Sequence, residues 1–177
     1  MEISLDHSEL RINVVTTGGT IEKTYDELDG TLENRVSILH DQILRHLRLP
    51  YTTIELFPLF SKDSLFMTDG DRQILCAKVR ELMVLGSPLV ILHGTDTMEL
   101  SARYCWEQIE SPSVPIIFTG AMRPIGYVNS DAQQNVTEAL FACRMIAPGF
   151  YVSFHGRIFP VPKVRKNHDK GTFEAIK

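Results

Sequence analysis

No apolar run in these 177 residues approaches the roughly 20 needed for a membrane-spanning helix. Positive charge is not in excess either. The net charge is −4 with a pI near 5.8, and a nucleic-acid binder would show a basic footprint instead. The opening Met1-Glu2-Ile3-Ser4-Leu5-Asp6 is acidic and has no apolar h-region, so no secretory signal is visible and a cytoplasmic location is expected. Cysteine is scarce: Cys76, Cys105 and Cys143 are odd in number, far apart and outside any CxxC spacing. Each falls in a predicted helix and reads as a small buried hydrophobe. The six histidines form no HExxH pattern, so no metal is expected. The glycines form neither GxGxxG nor GxxxxGK[ST], so the phosphate cradle of a nucleotide binder has no support and no cofactor is expected. A GxSxG nucleophile elbow is absent as well. No repeat, low-complexity stretch or shift in composition divides the chain, so residues 1–177 are expected to form a single domain with no C-terminal domain.

What is present is an ordinary globular composition, 44% apolar and 23% charged, arranged as alternating strands and helices. Residues 12–17 read as a buried strand ending in Gly18-Gly19. Residues 21–35 are polar and irregular, either a lid over the preceding turn or plain surface loop. Ser37 is expected to open a helix to about Leu47, closed by Pro50. A strand over 52–57 follows, and Thr68-Asp69-Gly70-Asp71 resembles a capping box opening a helix to about Leu85 through Ile74, Leu75, Val79 and Leu82. Leu89-Val90-Ile91-Leu92 is wholly apolar, as expected of a strand buried on both faces. A helix over 97–109, a strand over 116–118, a helix from Ser130 or Asp131 to about Ala147 and a strand over 150–154 complete the alternation. One or two short strands are expected over 157–165, and the tail from Lys166 reads as polar and weakly structured. The fold class expected is α/β: a doubly wound, mostly parallel sheet with helices on both faces, three-layered and flavodoxin-like.

Hydroxyl-bearing, small and charged residues collect just after four predicted strands: Thr17–Thr20, Ser61–Ser64, His93–Thr97 and Thr119–Arg123. In a parallel sheet these ends converge on one edge, where open α/β sheets bind ligands. Thr20 is placed to act as a nucleophile if a nearby group takes its proton. Gly-Gly-Thr alone is also a common tight turn, and Asp96 alone could be a helix cap. Two threonines after glycine-containing turns, at the ends of two buried strands, form a less ordinary pair.

Thr17-Gly18-Gly19-Thr20-Ile21, His93-Gly94-Thr95-Asp96-Thr97-Met98-Glu99 and Gly120-Ala121-Met122-Arg123-Pro124 strongly resemble the bacterial-type (type I/II) L-asparaginase family. Asn129-Ser130-Asp131 falls where that family has a Ser/Asp-containing loop, and Lys166-Asn167 before Gly171-Thr172-Phe173 resembles its late lysine motif. The resemblance implies the fold of that family's N-terminal domain. It implies Thr20 as primary nucleophile, Thr95 as second catalytic threonine linked to Lys166 with Asp96 beside it, and Tyr25 as the lid tyrosine. Ser61 would hold the substrate α-carboxylate and Asp96 the α-ammonium, and the resemblance implies Gly19, Lys62, Asp63, Gly94 and Ala121 as the other substrate contacts. Lys62 stands where longer members commonly have glutamine, so a cation there could grip the α-carboxylate or change substrate preference. The implied activity is hydrolysis of L-asparagine to L-aspartate and ammonia, with possible glutaminase side activity, in a homo-oligomer (dimer or tetramer) that needs neither nucleic acid nor membrane. A non-catalytic amino-acid sensor, or a partner-dependent amidotransferase-like subunit, is the alternative.

Overall fold

β1 (Leu10–Thr16) shows why the sheet sits at the centre of the molecule. Ile12 and Val14 enter one apolar cluster and Val15 the other, so the strand is buried on both faces. The computed structural model describes residues 9–26, 31–34 and 43–176. Along them run β2 (Lys23–Asp26), β3 (Thr31–Asn34), β4 (Thr52–Pro58), α1 (Asp69–Met83), β5 (Leu89–Leu92), α2 (Met98–Gln108), β6 (Pro115–Thr119), α3 (Ala132–Ala142), β7 (Gly149–Phe154), β8 (Arg157–Pro160), β9 (Val164–Asn167) and β10 (Thr172–Ala175). The main sheet has the order β4-β1-β5-β6-β7-β8; its first five strands are parallel and β8 returns antiparallel to β7. Leu75, Val79 and Leu82 of α1 and Ala102 and Cys105 of α2 pack on the face bearing Val15, Ile91 and Phe118. Val136, Ala139 and Leu140 of α3 pack on the face bearing Val14, Val90 and Ile117. This is the doubly wound, mostly parallel, three-layer α/β fold that the strand–helix alternation predicts.

Because β1 has β4 on one side and β5 on the other, the chain reverses its direction of travel across the sheet at β1. The chain therefore leaves the carboxyl ends of β1 and β5 toward opposite flanks, the topological switch point at which open α/β sheets bind ligands. The strand order alone places Thr20 and Thr95 at the position where such sheets bind their ligands.

Several elements differ from the sequence reading. Residues 21–35 are not an irregular loop in their described part. Thr20–Glu22 form one 3₁₀ turn, and β2 pairs antiparallel with β3, with Lys23 opposite Asn34 and Asp26 opposite Thr31. Thr24, Tyr25, Thr31 and Leu32 suit extended backbone, and the intervening Asp29-Gly30 is a turn-type pair in the sequence. Of the helix expected over 37–47, residues 35–42 lie outside the described residues, and only a 3₁₀ turn over Leu44–His46 is seen in the rest. On α1 the buried stripe is Arg72, Leu75, Cys76, Val79 and Leu82, whereas Ile74 is 51% exposed, since it falls a full quarter-turn from Leu75. The tail is ordered as a β9–β10 hairpin. A single aromatic anchors it: Phe173 is buried and meets Phe154 edge-on at 5.0 Å between ring centroids. Its turn is closed by the Asn167 side chain, which accepts from the Lys170 amide at 2.9 Å, and by Gly171 at φ 56°. All three cysteines are free and buried. Among the described residues no helix is long and apolar enough to cross a membrane.

The capping box is formed. Asp71 N–H donates to Thr68 Oγ1 at 3.3 Å, and Thr68 N–H donates back to Asp71 Oδ2 at 2.7 Å. The Lys62 ammonium, then the Thr68 amide and hydroxyl, hold the Asp71 carboxyl at about 2, below its ordinary 3.8. A depressed carboxylate pKa gives stability that is complete above 3.8 and lost as the pH falls through about 2. Asp71→Ala is expected to cost about 1 kcal/mol at neutral pH, a typical capping contribution. Urea denaturation should show variant and wild type converging as the pH approaches 2.

Candidate functional site

The turn after β1 is built by two consecutive glycines at positive φ, Gly18 at 90° and Gly19 at 87°. Both are also packed against other backbone. A Cβ on Gly18 would overlap the Lys62 peptide, and one on Gly19 would overlap Cα and N of Gly94. The turn is thus clasped on two sides. Gly19 N–H donates to Lys62 O at 3.0 Å, Lys62 N–H donates to Thr17 O at 3.2 Å, and Thr17 donates from both N and Oγ1 to Leu92 O. From beneath, Glu22 Oε2 accepts from Gly18 N–H at 2.9 Å, and Glu22 is 2% exposed. Glu22 reads as loop surface in the sequence. Only its place in a single 3₁₀ turn, two residues after Thr20, folds it back under the glycines.

Thr20 begins that 3₁₀ turn and is half-buried; among the described residues no group hydrogen-bonds its hydroxyl. One residue past the touching glycine of the second loop stands Thr95, 2% exposed. The Lys166 ammonium donates to Thr95 Oγ1 at 2.8 Å and to Asp96 Oδ1 at 2.7 Å. Lys166 comes from β9, so a residue 70 positions along the chain closes on the β5 end. Its backbone is held too: Lys166 N–H donates to Glu99 Oε2 at 2.6 Å, from the first turn of α2. The structure therefore brings Thr95, Asp96 and Lys166 into direct contact. Gly19 and Gly94 bring the Thr20 turn against them.

The other predicted contacts are arranged differently. Ser61 is exposed on the loop after β4. The Lys62 ammonium pairs with Asp71 at 2.8 Å, and its carbonyl serves the Gly19 amide, so its charge is directed to the α1 cap. Asp63 caps the following 3₁₀ turn at Leu65 N–H and pairs with Lys23 at 2.6 Å. Burial alone would raise the Asp63 pKa, but the Lys23 ammonium and the Leu65 amide outweigh it and hold the carboxyl low. That ion pair ties the base of the β2–β3 hairpin to the loop after β4. Tyr25 lies in β2, in register with Leu32. Ala121 is buried in the α3-side cluster. Asp96 is not a helix cap: Thr97 holds the N-cap position of α2, and its hydroxyl donates to Ser64 O at 2.8 Å. Among the described residues, no three metal-ligating side chains gather. A cavity of about 220 Å³ lined by Trp106, Ile109, Phe150 and Tyr151 lies toward the amino end of β7, away from the threonine-bearing edge.

Sequence reasoning missed a second polar group, in which Asp131, Asn135, His155 and Thr172 bond to one another. Asp131 does not cap its helix through its side chain; its carboxylate accepts from the Met122 and Arg123 amides and shapes the loop after β6. The available signal was His155-Gly156 between two apolar runs, a hairpin turn.

A family model described as asparaginase, N-terminal, matches residues 11–177. The chain belongs to the asparaginase family. It is 31% identical over 172 residues to L-asparaginase of Thermococcus kodakarensis, covering 94% of this chain and 51% of that protein. It is 30% identical over 176 residues to L-asparaginase 1 of Escherichia coli strain K12, covering 93% and 49%. A protein from Haloquadratum walsbyi, named as a subunit of glutamyl-tRNA(Gln) amidotransferase, is 28% identical over 179 residues, covering 94% and 39%. The solved structure of the Thermococcus kodakarensis L-asparaginase superposes with a TM-score of 0.84 at 30% identity, over 94% of this chain and 51% of that one. The probable cytoplasmic L-asparaginase of Campylobacter jejuni gives 0.78 at 28% identity, over 94% and 51%. The chain spans about half the length of these asparaginases.

His93, at the root of the family's His-Gly-Thr-Asp-Thr segment, is fully buried, and its Nδ1–H donates to the Gly94 carbonyl at 2.8 Å. Burial, aided by the nearby Arg72 charge and opposed by the Gly94 bond, lowers its pKa from 6.5 to about 4. The unfolded chain then binds this proton more readily than the folded one. Stability should be complete above pH 6.5 and decline as the pH falls toward 4. Denaturation of His93→Gln across that window should show this part of the slope removed.

Proposed function

We propose that this chain carries the catalytic unit of an L-asparaginase, hydrolysing the side-chain amide of L-asparagine to L-aspartate and ammonia. The observation that carries the reading is the contact of Lys166 with both Thr95 and Asp96, beside the Gly19–Gly94 backbone contact. Thr20 Oγ attacks the amide carbon and its proton passes toward the leaving nitrogen. The Gly18 and Gly19 amides already donate to Glu22 and Lys62, so the tetrahedral oxyanion is held by the backbone N–H of Thr95, such a donor being worth about 3–4 kcal/mol. The C–N bond breaks, ammonia leaves, and an aspartyl ester on Thr20 remains. Water activated at Thr95 hydrolyses that ester, returning the hydroxyl proton to Thr20. An ammonium has no lone pair, so Lys166 must surrender a proton before it can take one from Thr95.

An α-amino acid is a zwitterion, and the site offers matching groups. The Asp96 carboxylate suits the α-ammonium, while Ser61 and nearby backbone amides suit the α-carboxylate. Tyr25 on the β2–β3 hairpin serves as lid residue, with Lys23–Asp63 fastening the hairpin to the loop that bears Ser61. Lys62 pairs with Asp71, which directs its ammonium to the α1 cap. One methylene in a fitted pocket is worth about 1–3 kcal/mol, which sets the scale of any discrimination between asparagine and glutamine. The protein works in the cytoplasm as a homo-oligomer.

A second reading has one specific support, the similarity to a protein named as an amidotransferase subunit. In that case the same threonine chemistry would operate only in a complex, and free asparagine would not be hydrolysed. Ammonia release from asparagine by the purified chain separates the two. Thr20→Ala and Thr95→Val are each expected to lower kcat by roughly 10³-fold or more, with melting temperatures within a few degrees of wild type. A folded wild-type chain that releases no ammonia from asparagine would contradict the hydrolase reading.

A further inference from the structure

We propose that His155 is a positioning residue that holds the Lys166-bearing hairpin against the β5 end. The proposal rests on the catalytic reading of Lys166. His155 and Gly156 form the two-residue turn between β7 and β8, at φ 47° and 76°. Both residues at positive φ make a tight hairpin turn in which asparagine would normally be preferred over histidine. The imidazole does what an asparagine is too short to do. Its Nε2 lies 2.9 Å from Asp131 Oδ2, and its Nδ1 lies 2.9 Å from Thr172 Oγ1.

The roles at each end follow from the partners. Burial would raise the Asp131 pKa, but bonds from the Met122 amide, His155 and the Arg123 amide lower it, so the carboxylate only accepts. Nε2 therefore carries the hydrogen. In neutral imidazole Nδ1 then accepts from the Thr172 hydroxyl; in the cation Nδ1–H donates to it. A hydroxyl does both, so the bridge survives either state. Asn135 locks the same assembly, accepting from His155 N–H at 3.1 Å and donating to Asp131 and to Gly120 O at 2.9 Å each.

Thr172 sits on β10 opposite Asn167, and the next residue, Phe173, sits opposite Lys166. The hairpin is thus fastened at three points around Lys166: Phe173 on Phe154, the Lys166 amide on Glu99, and Thr172 on His155. Through Asp131, the third fastening joins the hairpin to the loop after β6 as well.

The test is amide hydrogen exchange of the whole chain for wild type, His155→Asn and Thr172→Val. Asparagine keeps the turn but cannot span from Asp131 to Thr172, so a role limited to the turn would leave its exchange unchanged. The expected result is exchange about ten-fold faster over residues 164–175 in both variants, a typical hydrogen-bond contribution, with β1, β5 and β6 protected as in wild type. Asparagine turnover should show a fall in kcat with KM within about two-fold. Wild-type protection of the hairpin in His155→Asn would overturn the proposal. So would loosening spread over the whole sheet, or a rise in KM at constant kcat. Exchange reads the hairpin whatever the substrate, so an inactive wild-type protein would refute the asparaginase reading and leave this test standing.

Discussion

Everything at the functional edge depends on two backbones touching. Gly19 and Gly94 approach so closely that neither loop leaves room for a side chain on Gly19, and the positive φ at Gly18 and Gly19 bends the first loop into that contact. Each threonine follows its glycine by one residue. The separation of the two hydroxyl-bearing turns is therefore set by main-chain contact, which varies far less than contact between flexible side chains. Glu22 beneath the turn and the Lys62 carbonyl beside it leave the glycine loop few alternatives.

The sheet order makes that contact available. β1 and β5 are neighbours, and the chain leaves them toward opposite flanks, so their carboxyl ends mark the switch point of the sheet. Residues from three more segments are then drawn to it. The loop after β4 brings Ser61 to Ser64, α2 brings Glu99 in its first turn, and the β9–β10 hairpin brings Lys166. Charges at this edge are placed as pairs: Lys166 with Asp96, Lys23 with Asp63, Lys62 with Asp71. The latter two fasten loops together, and the first joins the hairpin to the end of β5.

The sequence made the sheet legible because buried parallel strands such as Leu89–Leu92 are wholly apolar and bounded by glycine or proline. The meeting of Lys166 with Thr95 and Asp96 was legible through motif resemblance. What escaped were features held by long-range packing. The tail looked unstructured because its order rests on distant partners: Phe154 for Phe173, Glu99 for the Lys166 amide and His155 for Thr172. The Lys62–Asp71 ion pair went unseen because Asp71 belongs to a helix cap that periodicity treats as already complete. Ile74 was assigned to the core because an apolar residue beside Leu75 fits the average pattern while missing the actual face. The Asp131–His155–Thr172 bridge joins three segments whose side chains carry no local signature of their meeting.

If the two glycine turns form one site, a single amino-acid ligand sits between Thr20 and Thr95, where the turns touch. A crystal structure of the protein soaked with L-aspartate tests it directly. The expected result is the side-chain carboxylate within hydrogen-bond distance of both threonine hydroxyls and the α-ammonium at Asp96. Aspartate bound at another edge of the sheet, or the two hydroxyls facing separate cavities, would contradict it.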